Sequence, residues 1–153
     1  MTPRLESKNP ELDSNTLDYL HFLADSPTPY HAASLVAQRL ADAGFTRQSE
    51  TEPWDASPGG HVMVRVMAWL VPQNVTDATG FRIVGAHTDS PAFTLKPSPQ
   101  TTTNDGWGQI EVEVYGGMIM NSWLDRELCV AGRLIMASGE EILVRTAPLA
   151  RIP

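Results

Sequence analysis

The sequence is short of everything that would tie it to an oxidising compartment, a membrane or a nucleic acid. It has a single cysteine, Cys129, so no internal disulfide can form. That fits a reducing compartment. Cys129 lies in Leu128-Cys129-Val130-Ala131 and is expected as buried filler rather than as a reactive thiol. No apolar run approaches the roughly 18 residues of a membrane span, and Met1-Thr2-Pro3-Arg4-Leu5-Glu6-Ser7-Lys8 has no apolar stretch fit for a signal peptide. A cytoplasmic protein is expected. Lys and Arg number 11 against 18 Asp and Glu, giving a net charge of −7, and they form no run. Nucleic acid and anionic membrane both demand clustered positive charge, so neither is an expected partner. Internal repeats and low-complexity tracts are also lacking.

What is present suits one ordinary core or two smaller ones, since the chain has 153 residues and 42% of them are hydrophobic. Ser14 or Asn15 can cap a helix in which Leu17, Leu20, Leu23 and Ala24 recur at helical spacing until Asp25-Ser26-Pro27. After Pro27-Thr28-Pro29, residues Ala33, Val36, Leu40 and Ala43 share a second helical face, with Gly44 placed for a left-handed cap. The β-branched, apolar stretch Gly60 to Val71 reads as buried strand and allows a hairpin. Phe81 to Ala86 reads as a second short strand, and the polar residues from Gln73 to Gly80 as its surface connection.

Beyond Lys96 the texture changes. Pro97-Ser98-Pro99 through Gly106 has no apolar periodicity and reads as a linker or exposed loop, so a domain boundary is expected there. The remainder alternates as strand does. Ile110, Val112 and Val114 face one side, Glu111 and Glu113 the other, and Gly116-Gly117 makes a turn. Leu134 to Met136 and Ile142 to Val144 flank Ser138-Gly139 as a hairpin. The expected class is α/β, with residues 14–96 as helices on a sheet and residues 108–153 as a separate β region.

The chemically informative residues are Gly85-Ala86-His87-Thr88-Asp89-Ser90-Pro91, directly after the expected strand. Ligands bind at the carboxyl ends of strands in open α/β sheets. In an extended segment His87 and Asp89 point the same way, so the carboxylate can reach a metal or hold the imidazole that does. The plainer alternative is a satisfied structural histidine followed by a turn aspartate, and His-x-Asp alone does not decide between them. His21, His31 and His61 lie elsewhere in the sequence and form no cluster with His87.

Several ungapped blocks, in order, carry a more specific signal. They are Ser26-Pro27-Thr28-Pro29-Tyr30-His31, the His87 segment with Leu95-Lys96-Pro97, Val114-Tyr115-Gly116-Gly117, Trp123-Leu124-Asp125-Arg126-Glu127-Leu128, and Ala131-Gly132-Arg133. In these the chain resembles the start of the M18 family of zinc aminopeptidases, the aspartyl aminopeptidase and aminopeptidase I group. The resemblance implies an N-terminal part of a mixed-sheet catalytic domain over residues 1–96. It also implies the start of a β-rich inserted dimerisation domain over 97–153, truncated. His87 would be a ligand of a two-zinc site and Asp89 the acidic catalytic-site residue that orients it. The activity implied is removal of N-terminal residues, possibly acidic ones, from peptides by a cytoplasmic homo-oligomer.

The family's general base and other ligands have no counterpart here, so a fragment inactive on its own is expected. The family's usual glycine-containing turn is also lacking near Arg65. The alternatives are a non-catalytic assembly fragment and another His-x-Asp metallohydrolase. Tyr30 and His31 read as pocket lining or as a buried helix-packing pair. Asp125 and Arg126 read as a turn or subunit contact, Glu140 and Glu141 as a solvated turn. Ser90 lacks the neighbours of a nucleophile.

Overall fold

The computed structural model describes residues 13–63, 66–76 and 79–153. The chain divides into two compact units between Thr88 and Asp89.

In the first unit, helix α1 spans Ser14–Asp25 and helix α2 spans Pro29–Asp42. The α1 cap is Asp13 rather than Ser14 or Asn15. Its carboxylate accepts from the Asn15 and Thr16 amides at 2.8 and 2.9 Å, which satisfies two of the orphan donors of the first turn. Thr28 caps α2 through the His31 amide, with Pro29 at the start where its missing N–H costs nothing. The end of α2 bears out the sequence: Gly44 has φ +89° and donates to Ala41, while Phe45 donates back to Leu40. These two bonds make a Schellman motif. Arg39 ties the helices together, donating to both carboxylate oxygens of Asp18 and lying over the Phe22 ring.

The sheet beside them is mixed: β1 (Thr46–Arg47) runs parallel to β2 (Gly59–Met63), which pairs antiparallel with β3 (Met67–Val71). The expected hairpin therefore forms. Val64 and Arg65 at its tip lie outside the described residues, but the next residue, Val66, has φ +60°. That left-handed position is the one a three-residue hairpin loop reserves for glycine. The valine there is strained because its branched Cβ crowds the backbone. Gly60 is required for packing: a Cβ there would stand 2.7 Å from the Phe45 ring. The buried residues, Ala32, Ala37, His61, Val62 and Met63, lie on α2 and β2.

The segment from Phe81 to Ala86 departs from expectation. It belongs to no strand, and Phe81, Ile83 and Val84 are 95%, 88% and 96% exposed. A strand is defined by its neighbours, and β1–β2–β3 does not extend to this segment.

In the second unit, β4 (Ala92–Thr102) pairs antiparallel with β5 (Gly108–Tyr115). The expected linker at Pro97-Ser98-Pro99, and with it the boundary at 96/97, thus falls inside a strand. The register jumps from Leu95↔Val112 to Gln100↔Ile110, leaving the prolines in an irregularity of the ladder. Proline has no N–H to donate, and such interruptions are where strands tolerate it. After a 3-10 turn at Met120–Ser122, β6 (Ala131–Ile135) and β7 (Glu141–Arg145) form the hairpin expected around Ser138-Gly139. Cys129, expected buried, is exposed, in the stretch between these ribbons.

Candidate functional site

His87 ends the first unit and Asp89 opens the second. His87 is exposed, in a segment that is not part of a strand, and Asp89 is half-buried. The position expected for His87 at the carboxyl end of a paired strand is therefore not seen. What the structure adds is a partner for the carboxylate. The hydroxyl of Tyr115, the last residue of β5, donates to Asp89 Oδ2 at 2.8 Å.

The β4–β5 register explains this contact. Tyr115 stands opposite Ala92, the first residue of β4, and the preceding Pro91 lies 3.4 Å from where a Cβ on Gly116 would be. The chain leaving β5 therefore passes the residues entering β4, and the Tyr115 ring spans the remaining distance. Gly116 has φ +71°, so a glycine permits both the bend and the approach. The Asp89 carboxylate accepting from the hydroxyl pushes the Tyr115 phenol above its ordinary range, because ionisation would break the bond and set two anions together.

Two of the other histidines, His61 and His31, are held in structural contacts. His61 is buried on β2. Gln48 accepts the Asp55 amide through Oε1, so its Nε2 faces and donates to His61 Nδ1 at 3.1 Å. His61 Nε2 then donates to the Ser57 carbonyl at 3.0 Å, and the ring stacks on Trp69, itself stacked on Trp54. Every polar atom of this imidazole is used in holding the sheet. His31 Nδ1 lies 2.7 Å from Thr28 Oγ1 at the α2 cap, and Tyr30 is exposed, so they are not the buried pair that was one expectation. His21 lies partly exposed on α1.

The carboxylate of Asp125 does not pair with Arg126 but accepts from Arg151, 26 positions away, at 3.1 Å. The Asp125 amide donates to the Ile152 carbonyl, where Leu124 and Ile152 form a β-bridge. A shallow depression of about 350 Å³ is lined by Glu127 and Pro148 to Arg151 rather than by His87 or Asp89.

An imidazole and a carboxylate, the side chains of His87 and Asp89, are both donors that zinc accepts. Among the described residues, however, no three His, Cys, Asp or Glu side chains gather into a donor set. The described residues therefore do not make a complete centre. The Tyr115 contact was not legible as part of the site, since its signal lies in hairpin register rather than in residue spacing.

The family model for the aminopeptidase I zinc metalloproteases, M18, matches residues 22–153. The chain belongs to the M18 family. A probable M18 family aminopeptidase 2 of Streptomyces coelicolor is 50% identical over 143 residues, covering 91% of this chain and 33% of the relative. The protein of the same description from Mycobacterium leprae is 41% identical over 152 residues, covering 93% of this chain and 35% of the relative. The mApe1 dodecamer of Saccharomyces cerevisiae superimposes with a TM-score of 0.78 at 30% identity, over 89% of this chain and 34% of that one. This M18 chain thus spans about a third of the length of the curated relatives it matches. The α/β class read from the sequence agrees with these folds.

Proposed function

We propose that this chain supplies the N-terminal portion of a two-zinc M18 aminopeptidase. The residues before β4 contribute to its catalytic domain, and the β ribbons from β4 onward begin its inserted dimerisation domain. His87 serves as a zinc ligand, and Asp89 orients it. The complete enzyme removes N-terminal residues from peptides as a homo-oligomer in the cytoplasm. Among the described residues no helix is long and apolar enough to cross a membrane, which is consistent with that location.

The observation that carries the reading is that the family match spans both the His87 motif and the β ribbons after it. Another His-x-Asp metallohydrolase would share the motif without those ribbons. Zinc bound to a peptidase polarises the scissile carbonyl and activates water. Asp89 would hold the imidazole in the tautomer that presents a lone pair to the metal.

The reading is tested by calorimetric zinc titration of residues 1–153 beside His87→Ala. Weak binding that the substitution abolishes is expected, because one ligand and its orienting carboxylate fall short of the three or four that hold zinc firmly. Equal binding by both chains would remove His87 from the site.

A further inference from the structure

We propose that His61 and Gln48 form a proton-controlled latch on the loop from Gln48 to Ser57, closed when the His61 imidazole is neutral and open when it is charged. The directions of three hydrogen bonds carry this. Gln48 Oε1 accepts the Asp55 amide at 3.0 Å, which turns its Nε2 towards His61 Nδ1 at 3.1 Å. A side-chain amide nitrogen only donates, so Nδ1 offers a lone pair and the ring proton sits on Nε2, where it reaches the Ser57 carbonyl at 3.0 Å. These bonds admit one tautomer of the neutral ring.

A second ring proton has no place in this arrangement. On Nδ1 it would face the Gln48 amide nitrogen, donor against donor, on a residue that is only 2% exposed. Turning the Gln48 amide over gives Nδ1–H an acceptor but points Nε2 at the Asp55 N–H. Either way the Asp55 amide loses its acceptor. That bond spans seven residues and closes the loop, and the next residue back, Trp54, stacks on Trp69 at 5.6 Å. Trp54 is therefore loosened with it. Trp69 behaves differently, because its ring is stacked 5.4 Å from the imidazole and attracts a cation. The loop opens while the β2–β3 pairing stays.

The charges on the elements around His61 leave this balance in place. Asp55 is held below the usual carboxylate range first by the Ser57 amide and hydroxyl, at 2.8 Å each, and to a smaller degree by the His61 charge. Its attraction favours the charged ring. Glu50 and Glu52 on the same loop are exposed. On β1, Arg47 reaches Gln38 of α2, while on α2 Arg39 bonds Asp18, Asp42 accepts from Gln38 and His31 is at the Thr28 cap. Strand β3 carries no titratable side chain.

The experiment follows residues 1–153 by nitrogen-resolved NMR from about pH 8 to about pH 5, the range in which histidine ordinarily changes charge. The His61 ring nitrogens, the Asp55 amide and the helix amides are read together, and the series is repeated on Gln48→Glu. In the parent, protection of the Asp55 amide, corrected for the intrinsic pH dependence of exchange, should fall about 10-fold in step with His61 protonation, the scale of one hydrogen bond. Amides of α1, α2 and the β2–β3 pairs should keep theirs. Gln48→Glu is the rescue, since a carboxylate accepts from Nδ1–H and from the Asp55 amide at once. Asp55 should then stay protected at the acid end, and His61 should titrate about one pH unit higher than in the parent.

The proposal is overturned if the His61 ring becomes charged while Asp55 keeps its protection, or if the loss follows the Asp55 carboxylate instead. A ring that stays neutral until the helices unfold overturns it too. So does a Gln48→Glu chain that loses the Asp55 amide at the same pH as the parent, or a parent in which α2 and β2 open together with the loop.

Discussion

The two units bury apolar surface to different extents, and only the first has fully buried residues among those described. In the first, helix α2 lies against β2, and every buried residue among those described belongs to this unit. In the second, two separate two-stranded ribbons leave Val114, Tyr115, Leu134 and Ile135 exposed. A two-stranded ribbon offers no opposing layer, so alternation of Ile110, Val112 and Val114 creates an apolar face without covering it. Helix-on-sheet packing makes a small core, although Leu70, Phe81, Ile83 and Val84 of that unit stay exposed, whereas a ribbon depends on what is laid upon it.

The largest effect that can break this contrast is core truncation. Val62→Ala removes two buried methyl groups from β2 and should cost about 2 kcal/mol or somewhat more, by transfer plus cavity terms. Val112→Ala, on the half-buried ribbon face, should cost less than about 1 kcal/mol. Hydrogen exchange resolved by segment checks both. Equal losses would show that the ribbon is as tightly supported as the sheet.

A gain of stability should follow from relieving the β2–β3 turn. Val66→Gly places the residue suited to φ +60° where a branched side chain is strained, and should stabilise the first unit by about 1 kcal/mol. Urea unfolding monitored by Trp69 fluorescence reads it. A loss would mean that the valine side chain supplies packing that outweighs the strain.

A subtler separation comes from pH, because the two units carry shifts of opposite sense. Arg39's hydrogen bonds hold Asp18 below the usual carboxylate range, and the Thr16 amide does the same for Asp13. The stability these groups add is present above the ordinary carboxylate pKa and lost as pH falls through their lowered values. Tyr115 is shifted upward, so its contribution is present below the ordinary phenol pKa and lost as pH rises through the raised value. Acid should therefore loosen the helices first, seen in circular dichroism, and alkali the ribbon end. Asp89→Asn should return the tyrosinate absorbance transition of Tyr115 toward its ordinary position.

These contrasts also explain what the sequence made legible. Helices α1 and α2, the Gly44 cap and the β6–β7 hairpin depend on local spacing and turn chemistry, and were readable from it. The first cap was misassigned by one residue, because Asp13, Ser14 and Asn15 are all good caps and only geometry chooses among them. Phe81 to Ala86 has a strand's composition, but pairing is not encoded in composition. Pro97 and Pro99 signal a break unless the ladder contains an irregularity at that place, which spacing alone does not announce. At the site, His87 and Asp89 stood out as a motif, while Tyr115 enters only through long-range register. Cys129 shows the same limit, since its apolar neighbours imply burial only where a second layer exists.

The central claim is that this chain holds one end of a zinc peptidase site, and not a working centre. The most direct measurement is an assay of purified residues 1–153 with added zinc for release of N-terminal amino acids from short peptides, beside His87→Ala. The account predicts no release above the zinc-only background from either chain, because no three-ligand donor set exists among the described residues. Turnover by the parent that disappears in His87→Ala would contradict it, and would mean that side chains assigned here to structure, or those of a second copy, complete the site.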